Sequence, residues 1–488
     1  MSPATRPTRP SQTKIVATLG PVSSSEAEIT ELLVAGVDVF RLNGAHGSFE
    51  EHEGRLAAVR GASARLNHTA AVLVDLPGPK IRLGELPGGE LTLDADARVR
   101  FVNADPAQPR EVAEDAPAEL TSTYEPLVEE LAVGDRVMLA DGTVSLKVTA
   151  KSNDYAECKV VQQGLIRSRQ GVNLPGVKLS IPTLGPRDKE IAVWATKNDV
   201  DFIGLSFVRS PDEIRQLQAL LESAGSDAQV IAKIEKPEAL DQLDEIVEAA
   251  DGVMVARGDL GVEIDIATVA VVQKQIIATC HRLRKPVIIA TQMLDSMQQS
   301  RLPTRAEVAD VSNAILDGAD ATMLSGETAI GRYPRQAVEM MHRIALATEP
   351  RCREQPRQPL PDLTAEGVNA ITEATVYSAG RIAERIEAKT VVVATASGAT
   401  ALALAKNRNY VPTLGVSHSP RTLRRMCLYW GVIPLAGAPL GDHDELLTHI
   451  TELGRNTGLL DPGDRIVLIA GTGLPTTAHN MIVVHELE

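Results

Sequence analysis

The stretch VIAKIEK, Val230–Lys236, followed by DGVMVARGDLG, Asp251–Gly261, decides the reading of the chain. Side chains two apart on a strand point the same way. Lys233 and Glu235 therefore share one face at the end of a β-branched run. Asp259 follows at the end of the next predicted strand, after Arg257. One cation and two carboxylates on adjacent strand ends suit a divalent metal beside an anionic substrate. The competing reading is two unrelated surface salt bridges, so the surrounding chain has to decide.

Working outward, short β-branched runs alternate with longer helical patterns, the signature of βα units. Strands are expected at KIVATLG from 14, VDVFRLN from 37, AVLVDLPG from 71, DFIGLSF from 201, VIAKIE from 230, DGVMVARGD from 251, PVIIATQM from 286 and DATMLSG from 320. Eight such units predict a (β/α)8 TIM barrel over 13–77 and 180–348. About 130 residues separate the third and fourth runs, of which PRDKEIAVWATKND reads as the missing helix. The remainder, 78–179, carries its own alternating strands (GELTLDADARVRFV, DRVMLADGTVSLKVTA, YAECKVVQQG) and predicts a small β-barrel-like lid domain. Inserted after a barrel strand, it lies on the catalytic face. From about Glu349 a Pro/Arg-rich linker leads to a doubly wound α/β unit, giving a C-terminal domain over 349–488. Residues 1–12, rich in Pro, Thr and Arg, read as a disordered N-terminus.

Composition narrows the partners. The 488 residues carry 64 acidic and 49 basic side chains, a net charge of −15, which disfavours nucleic acid. Aromatics are only 3%, too few for a base-stacking platform. No apolar run approaches a membrane span, and MSPATRPTRPSQ lacks the apolar core of a signal peptide. Cys158, Cys280, Cys352 and Cys427 are widely spaced and read as reduced thiols of a cytoplasmic protein.

Barrel active sites draw on the C-terminal ends of several strands. Here those ends carry Arg41, Asn43 and His46; Asp75 with Lys80 and Arg82 beyond it; Lys233 and Glu235; Arg257 and Asp259; Thr291 and Gln292; Ser325 and Glu327. Singly, Arg41 reads as a surface ion pair, His46 as a solvated histidine and Glu327 as a helix cap. Together they make a cluster of oxygen ligands suited to Mg2+ or Mn2+ and of cations suited to phosphate or carboxylate. Neither GxxxxGK[ST] nor a strand-to-helix GxGxxG is present, so a nucleotide would bind without those fingerprints.

The blocks TKIVATLGP (13–21), GVNLPG (171–176), DFIGLSFVRSPDE (201–213), IAKIEKPEAL (231–240), DGVMVARGDLGVE (251–263), ATQMLDSM (290–297) and PTRAEVADVSNAILDGADATMLSGETAIGRYP (303–334) resemble pyruvate kinase, from about Thr13 to the C-terminus. The resemblance implies phosphoryl transfer from phosphoenolpyruvate to ADP, giving pyruvate and ATP. It implies that Glu235 and Asp259 hold the divalent metal and that Lys233 neutralises the transferring phosphoryl and the enolate. Arg41 would bind the phosphoryl group, and Gly258 and Asp259 the substrate carboxylate. Thr291 would orient the proton source. Asn43, His46, Arg82 and Arg187 would line the nucleotide side, with Asp141 facing the closed site from the lid. Thr395, Ser397, Gly398 and Thr400 match the family's effector phosphate loop, which implies a phosphorylated effector. Family membership also implies a homotetramer.

Three departures stand out. The family's Asn-Phe/Leu-Ser-His is here Asn43-Gly44-Ala45-His46, and its Asp-Thr-Lys-Gly-Pro-Glu is Asp75-Leu76-Pro77-Gly78-Pro79-Lys80. Two potassium-binding hydroxyls are thereby lost, and Lys80 places a tethered ammonium where relatives that need no potassium carry one. Activity is therefore expected to need Mg2+ or Mn2+ but not K+. Arg187 replaces a usual lysine, which changes reach and hydrogen-bond geometry. The late loop AGTGLPTTAHN departs from the usual glycine-rich form. Two rival readings remain: a metal-dependent barrel aldolase or lyase acting on pyruvate-type enolates, and a non-catalytic metabolite-binding paralogue.

Overall fold

The computed structural model describes residues 11–113, 116–354, 369–439, 443–457, 460–471 and 480–487. Three barrel strands come first: β1 (Lys14–Leu19), β2 (Val39–Asn43) and β3 (Ala71–Asp75). The insertion follows with β4 (Glu90–Leu93), β5 (Arg98–Val102), β6 (Ala118–Leu120), β7 (Arg136–Leu139), β8 (Val144–Lys151), β9 (Tyr155–Gln162), β10 (Gly164–Arg167) and β11 (Val172–Asn173). The barrel resumes with β12 (Phe202–Leu205), β13 (Gln229–Ile234), β14 (Gly252–Ala256), β15 (Val287–Ala290) and β16 (Ala321–Leu324). The C-terminal strands are β17 (Thr390–Ala394), β18 (Thr413–Val416), β19 (Val432–Leu435), β20 (Arg465–Ala470) and β21 (Met481–Glu486).

The eight expected barrel strands close in the order β1-β16-β15-β14-β13-β12-β3-β2, with every pairing parallel. Strand alternation sorts their side chains. Val230, Ala232 and Ile234 of β13 pack outward with the surrounding helices, while Ile231 enters the lumen. The same parity turns Val16, Val39, Leu73, Phe202 and Met254 inward. The helix expected before β12 spans Pro186–Lys197, capped by the Asp188 carboxylate, which accepts the Gly185 N–H at 2.9 Å.

The inserted strands wrap one apolar core, including Leu83, Phe101, Leu120, Leu139, Leu146 and Ile166, as two sheets. Six strands run in the order β11-β7-β8-β9-β5-β6, and β10 leaves the hairpin succession to pair with β4. The C-terminal sheet is β19-β18-β17-β20-β21, parallel except for the antiparallel edge strand β21.

At its N-terminal face the barrel is sealed by this last unit. The inward residues of the barrel strands and the apolar residues around β17 form one continuous cluster. An aspartate stands just before each of β2, β12, β14 and β16, and each accepts a backbone N–H from the neighbouring strand: Asp38 from Ile15 at 3.0 Å, and Asp201, Asp251 and Asp320 from Val72, Val230 and Val287 at 2.8 Å. Cations of the C-terminal unit then neutralise two of them. Lys406 meets Asp320 at 2.6 Å and Arg408 meets it at 3.1 Å, while Arg424 pairs with Asp201. Burial alone would raise Asp320, but the charges of Lys406 and Arg408 hold it below its ordinary carboxylate value.

Residues 1–10 of the expected disordered start lie outside the described residues, whereas Gln12 is pinned, its N–H donating to Glu349 Oε1 at 2.9 Å. That carboxylate also accepts the Thr13 N–H at 2.8 Å. Because Glu349 is buried and satisfied in this way, the helix Pro334–Cys352 runs through it, and the linker begins later than the proline content suggests. Residues 355–368 of the linker and 472–479 of the AGTGLPTTAHN loop lie outside the described residues.

Lys406 is 0% and Asp320 1% exposed at the side chain. Replacing Lys406 by Met is expected to cost about 3 kcal/mol, because it leaves the buried Asp320 with Arg408 as its one remaining cation. Removing the exposed Arg351–Glu354 pair should cost less than about 1 kcal/mol. Urea midpoints of the two variants compare them directly.

Candidate active site

Strand parity builds the site. Thr18, Arg41, Asn43 and Asp75 fall on the inward register of β1, β2 and β3, and Ser206, Lys233 and Glu235 continue the inward register of β12 and β13 at the C-terminal mouth. Asp75 lies at the centre, 1% exposed. Its Oδ1 is 3.1 Å from Lys233 Nζ, and its Oδ2 accepts Arg41 Nε at 2.8 Å and Nη2 at 2.6 Å. Arg41 Nη1 also donates to Thr18 Oγ1 at 3.1 Å. The neighbouring register position on β12 is Gly204, where a Cβ would stand 3.0 Å from Asp75 Oδ1. Glycine there leaves the carboxylate its space.

Lys233 closes the network. Its ammonium lies 3.0 Å from Glu235 Oε1 and donates to Ser206 Oγ at 2.5 Å, and that hydroxyl donates onward to the Leu76 carbonyl at 2.7 Å. Burial would lower the Lys233 pKa, but Asp75 and Glu235 outweigh it and hold the group protonated above its ordinary value. Asp75 shows the complement: burial would raise it, and Lys233 and Arg41 hold it below the usual carboxylate range. Glu235 Oε2 accepts the Phe207 N–H at 2.7 Å. Burial raises the Glu235 carboxyl, Lys233 opposes this, and the charges of Asp259 and Asp75 add to the rise.

Asp259 sits in the helix Arg257–Glu263, which starts directly after β14. The strand therefore stops at Ala256, earlier than the sequence pattern suggests. Thr291 follows β15 with φ +71°, and Gln292 with φ +55°. A β-branched residue in that region is held under strain of about 1–3 kcal/mol, a pattern found at functional sites. The Thr291 hydroxyl accepts the Gly258 N–H at 2.7 Å, and its carbonyl accepts Arg257 Nη2 at 2.9 Å. The N–H assigned from the sequence to a substrate carboxylate is thus engaged by Thr291. Glu327 is a buried brace, accepting N–H groups of Leu294 at 3.0 Å and Ser325 at 2.7 Å.

The nucleotide-side residues are not brought into mutual contact by any of the bonds they make. Asn43 Oδ1 accepts the Ala45 N–H at 3.2 Å, and His46 is exposed in the same turn. Arg82 is exposed at the lid entry and donates to the Arg169 carbonyl at 3.1 Å. Arg187 lies over the Phe49 ring at 4.5 Å and pairs with Glu190 at 3.0 Å. Lys80 is half-exposed with its ammonium 3.9 Å from Asp259 Oδ1. Asp141 of the lid lines the same cleft as Lys80 and Asp259. In the C-terminal unit, Thr395 Oγ1 accepts the Gly398 N–H at 3.0 Å and Ser397 Oγ the Ala399 N–H at 3.4 Å, with Gly398 at φ +91° and Thr400 buried in the helix Ala399–Lys406.

Glu235 and Asp259 are hard oxygen donors, and because burial first and the charge of Asp259 after it raise the Glu235 carboxyl, a cation near both would ease its ionisation. Among the described residues no group of three or more His, Cys, Asp or Glu forms a closed cage. Two carboxylates completed by water and substrate oxygens fit Mg2+ or Mn2+. Ser206 and the role of Asp75 as shared counter-ion were not evident from the sequence. The inward parity of LSF, Leu205–Phe207, was the available signal for the serine.

A family model described as the pyruvate kinase barrel domain matches residues 10–338, and one described as the pyruvate kinase alpha/beta domain matches 373–485. The chain belongs to the pyruvate kinase family. It is 39% identical over 480 residues to a pyruvate kinase of Geobacillus stearothermophilus, covering 98% of this chain and 80% of the relative. A pyruvate kinase of Staphylococcus aureus is 40% identical over 480 residues, with 97% and 80% covered. The crystal structure of a pyruvate kinase from Cryptosporidium parvum superposes with a TM-score of 0.88 at 30% identity, covering 98% of this chain and 96% of that one. The chain is accordingly a phosphotransferase. Among the described residues no helix is long and apolar enough to cross a membrane.

The buried network carries a prediction. In Asp75→Asn the side chain keeps its shape but leaves Lys233 and Arg41 without a full counter-charge, so stability should fall by about 3–5 kcal/mol. The folded pKa of Asp75 is depressed, so its contribution is fully present above the ordinary value of 3.8 and is lost as pH falls through the lower folded value. Denaturant midpoints of wild type and Asp75→Asn should therefore differ most above that value and converge in stronger acid.

Proposed function

We propose that the enzyme transfers the phosphoryl group of phosphoenolpyruvate to ADP, with Mg2+ or Mn2+ on Glu235 and Asp259 and without a requirement for K+. The observation that carries this reading is the protonated, buried Lys233, held between Asp75 and Glu235 beside the second carboxylate Asp259. In the reaction an oxygen of the ADP terminal phosphate bonds to phosphorus as the bond from phosphorus to the enol oxygen breaks. The enolate then takes a proton on its methylene carbon. Lys233 remains an ammonium throughout and acts as a fixed cation on the charge that develops, the preorganised electrostatics that phosphoryl transfer depends on. Arg41, fixed by Asp75 and Thr18, offers its remaining donors to the phosphoryl group. Thr291, strained into place against Gly258, orients the proton source rather than donating alone. A divalent ion, when bound, supplies charge to the phosphoryl and enolate oxygens.

The potassium reading is supported by the donor chemistry just after β2 and β3. Leu76 and Ala45 offer no side-chain oxygen, Leu76 is 1% exposed, and Asn43 Oδ1 already accepts the Ala45 N–H. Lys80 brings an ammonium to the metal side of the cleft. Asn43, His46, Arg82 and Arg187 would gather on the nucleotide once the lid moves, which requires Arg187 to leave the Phe49 ring. Asp141 would face the closed site from the lid.

We further propose that Thr395, Ser397, Gly398 and Thr400 receive the phosphate of an effector. The loop follows β17, where the strand order turns from β18 on one side to β20 on the other, a position at which such sheets bind ligands. A cytoplasmic location is supported by four free cysteines, with Cys158 and Cys280 pushed up to about 12 by burial. A homotetramer is proposed from family membership.

A coupled assay for pyruvate, with K+ replaced by a quaternary ammonium salt, tests the core reading. Turnover should require Mg2+ or Mn2+ and persist without K+. A large loss of rate without K+ would refute potassium independence, and cleavage of an oxo acid with no ATP formed would refute phosphoryl transfer. Lys233→Met should lower kcat by about 10²–10³-fold, the effect of removing one preorganised electrostatic group.

A further inference from the structure

Next to the site, but outside the residues assigned to it, stands a second buried charge pair. Lys236 follows Glu235 directly, and its ammonium donates to Glu263 Oε1 at 2.8 Å. Lys236 is 8% and Glu263 4% exposed. Glu263 is the last residue of the helix Arg257–Glu263, whose first turn carries Gly258 and Asp259. The same Oε1 accepts the side-chain amide of Asn173, at 3.4 Å, and Asn173 belongs to β11, the last strand of the lid. The other oxygen, Glu263 Oε2, is buried with no protein donor. Glu263 thus joins three elements: the end of β13, the helix bearing Asp259 and the lid.

We propose that Glu263 is a positioning residue, a latch that couples closure of the lid to the placement of Asp259; the catalytic part of this rests on the assignment of Asp259 to the metal site. A buried carboxylate with one oxygen unpaired carries a penalty that a further donor relieves. The Asn173 contact is at the long end for a hydrogen bond, so movement of the lid toward the barrel shortens it and brings the amide within reach of the free oxygen. Lys236 supplies the counter-charge that lets Glu263 remain buried at all. Asn173 pairs across to Met138 of β7, so the pull is delivered to the lid sheet rather than to a loose loop. Asp141 lies just beyond that strand and lines the same cleft as Glu263.

The test uses the full-length enzyme and the variants Glu263→Gln and Asn173→Ala. Each should raise the KM for ADP about tenfold, the loss of one hydrogen bond to a charged group. The KM for phosphoenolpyruvate and the affinity for Mn2+ should weaken in parallel, because both depend on where Asp259 stands. Amide hydrogen exchange over residues 171–174 should accelerate in both variants, with or without substrate. Lys236→Arg should keep the wild-type KM for ADP, whereas Lys236→Met should not. Asn173 is only partly buried, so its variant carries the test if Glu263→Gln fails to fold. A lower unfolding midpoint with unchanged KM for ADP and unchanged exchange would make the pair structural only and overturn the proposal. Failure of the phosphoryl-transfer reading would look different: the wild-type enzyme itself would form no ATP.

Discussion

Everything at the mouth of the barrel depends on keeping Asp75 ionised out of water. Its carboxylate holds Lys233 on one oxygen and Arg41 on the other, and these are the two cations that an anionic substrate would meet. An unpaired charge at this depth would neutralise itself or unfold its surroundings. Paired, it converts two long, flexible side chains into fixed donors. The constraint reaches into the sequence. Gly204 must lack a side chain, Ser206 must carry a hydroxyl toward Lys233, and Thr18 must accept from Arg41. Glu235 is the one carboxylate of the set that these cations leave raised rather than lowered, which is why it suits a further, divalent charge.

The opposite face of the barrel solves the same problem for a different purpose. There, aspartates at the strand starts tie neighbouring strands through backbone N–H groups, and the C-terminal unit inserts Lys406, Arg408 and Arg424 to neutralise them. The barrel therefore has a charged lock at each end. The lower one is filled by the protein's own cations and closes the lumen. The upper one keeps an excess of donors facing the cleft under the lid. The unit that fills the lower lock shares one continuous apolar cluster with the inward residues of the barrel strands.

Much of this was legible in the residues alone. Eight β-branched runs at regular spacing define a barrel, and period-two alternation puts Lys233 and Glu235 on one face without any knowledge of the fold. The insertion was visible as a break in that rhythm. What stayed hidden depends on which strands meet. Asp75 is an unremarkable strand-end carboxylate until β3 is placed two strands from β13, with Ser206 between them. Nothing in the run ALALAK points to the partner of Lys406, which is wholly buried against Asp320. The helix Arg257–Glu263 starts directly at the polar Arg257-Gly258-Asp259, which the sequence reading takes as the end of the strand. The stacking of Arg187 on the face of Phe49, a ring far away in sequence, likewise had no signal in the residues around it.

The proposed chemistry requires that Glu235 and Asp259 together form the seat of a divalent ion beside the protonated Lys233. Water-proton relaxation with Mn2+ measures this without reference to turnover. Wild-type enzyme should bind Mn2+ at one site per chain, with a strong enhancement that is lost in Glu235→Gln and in Asp259→Asn and retained in Arg187→Ala. Undiminished Mn2+ binding in both carboxylate variants would contradict the account.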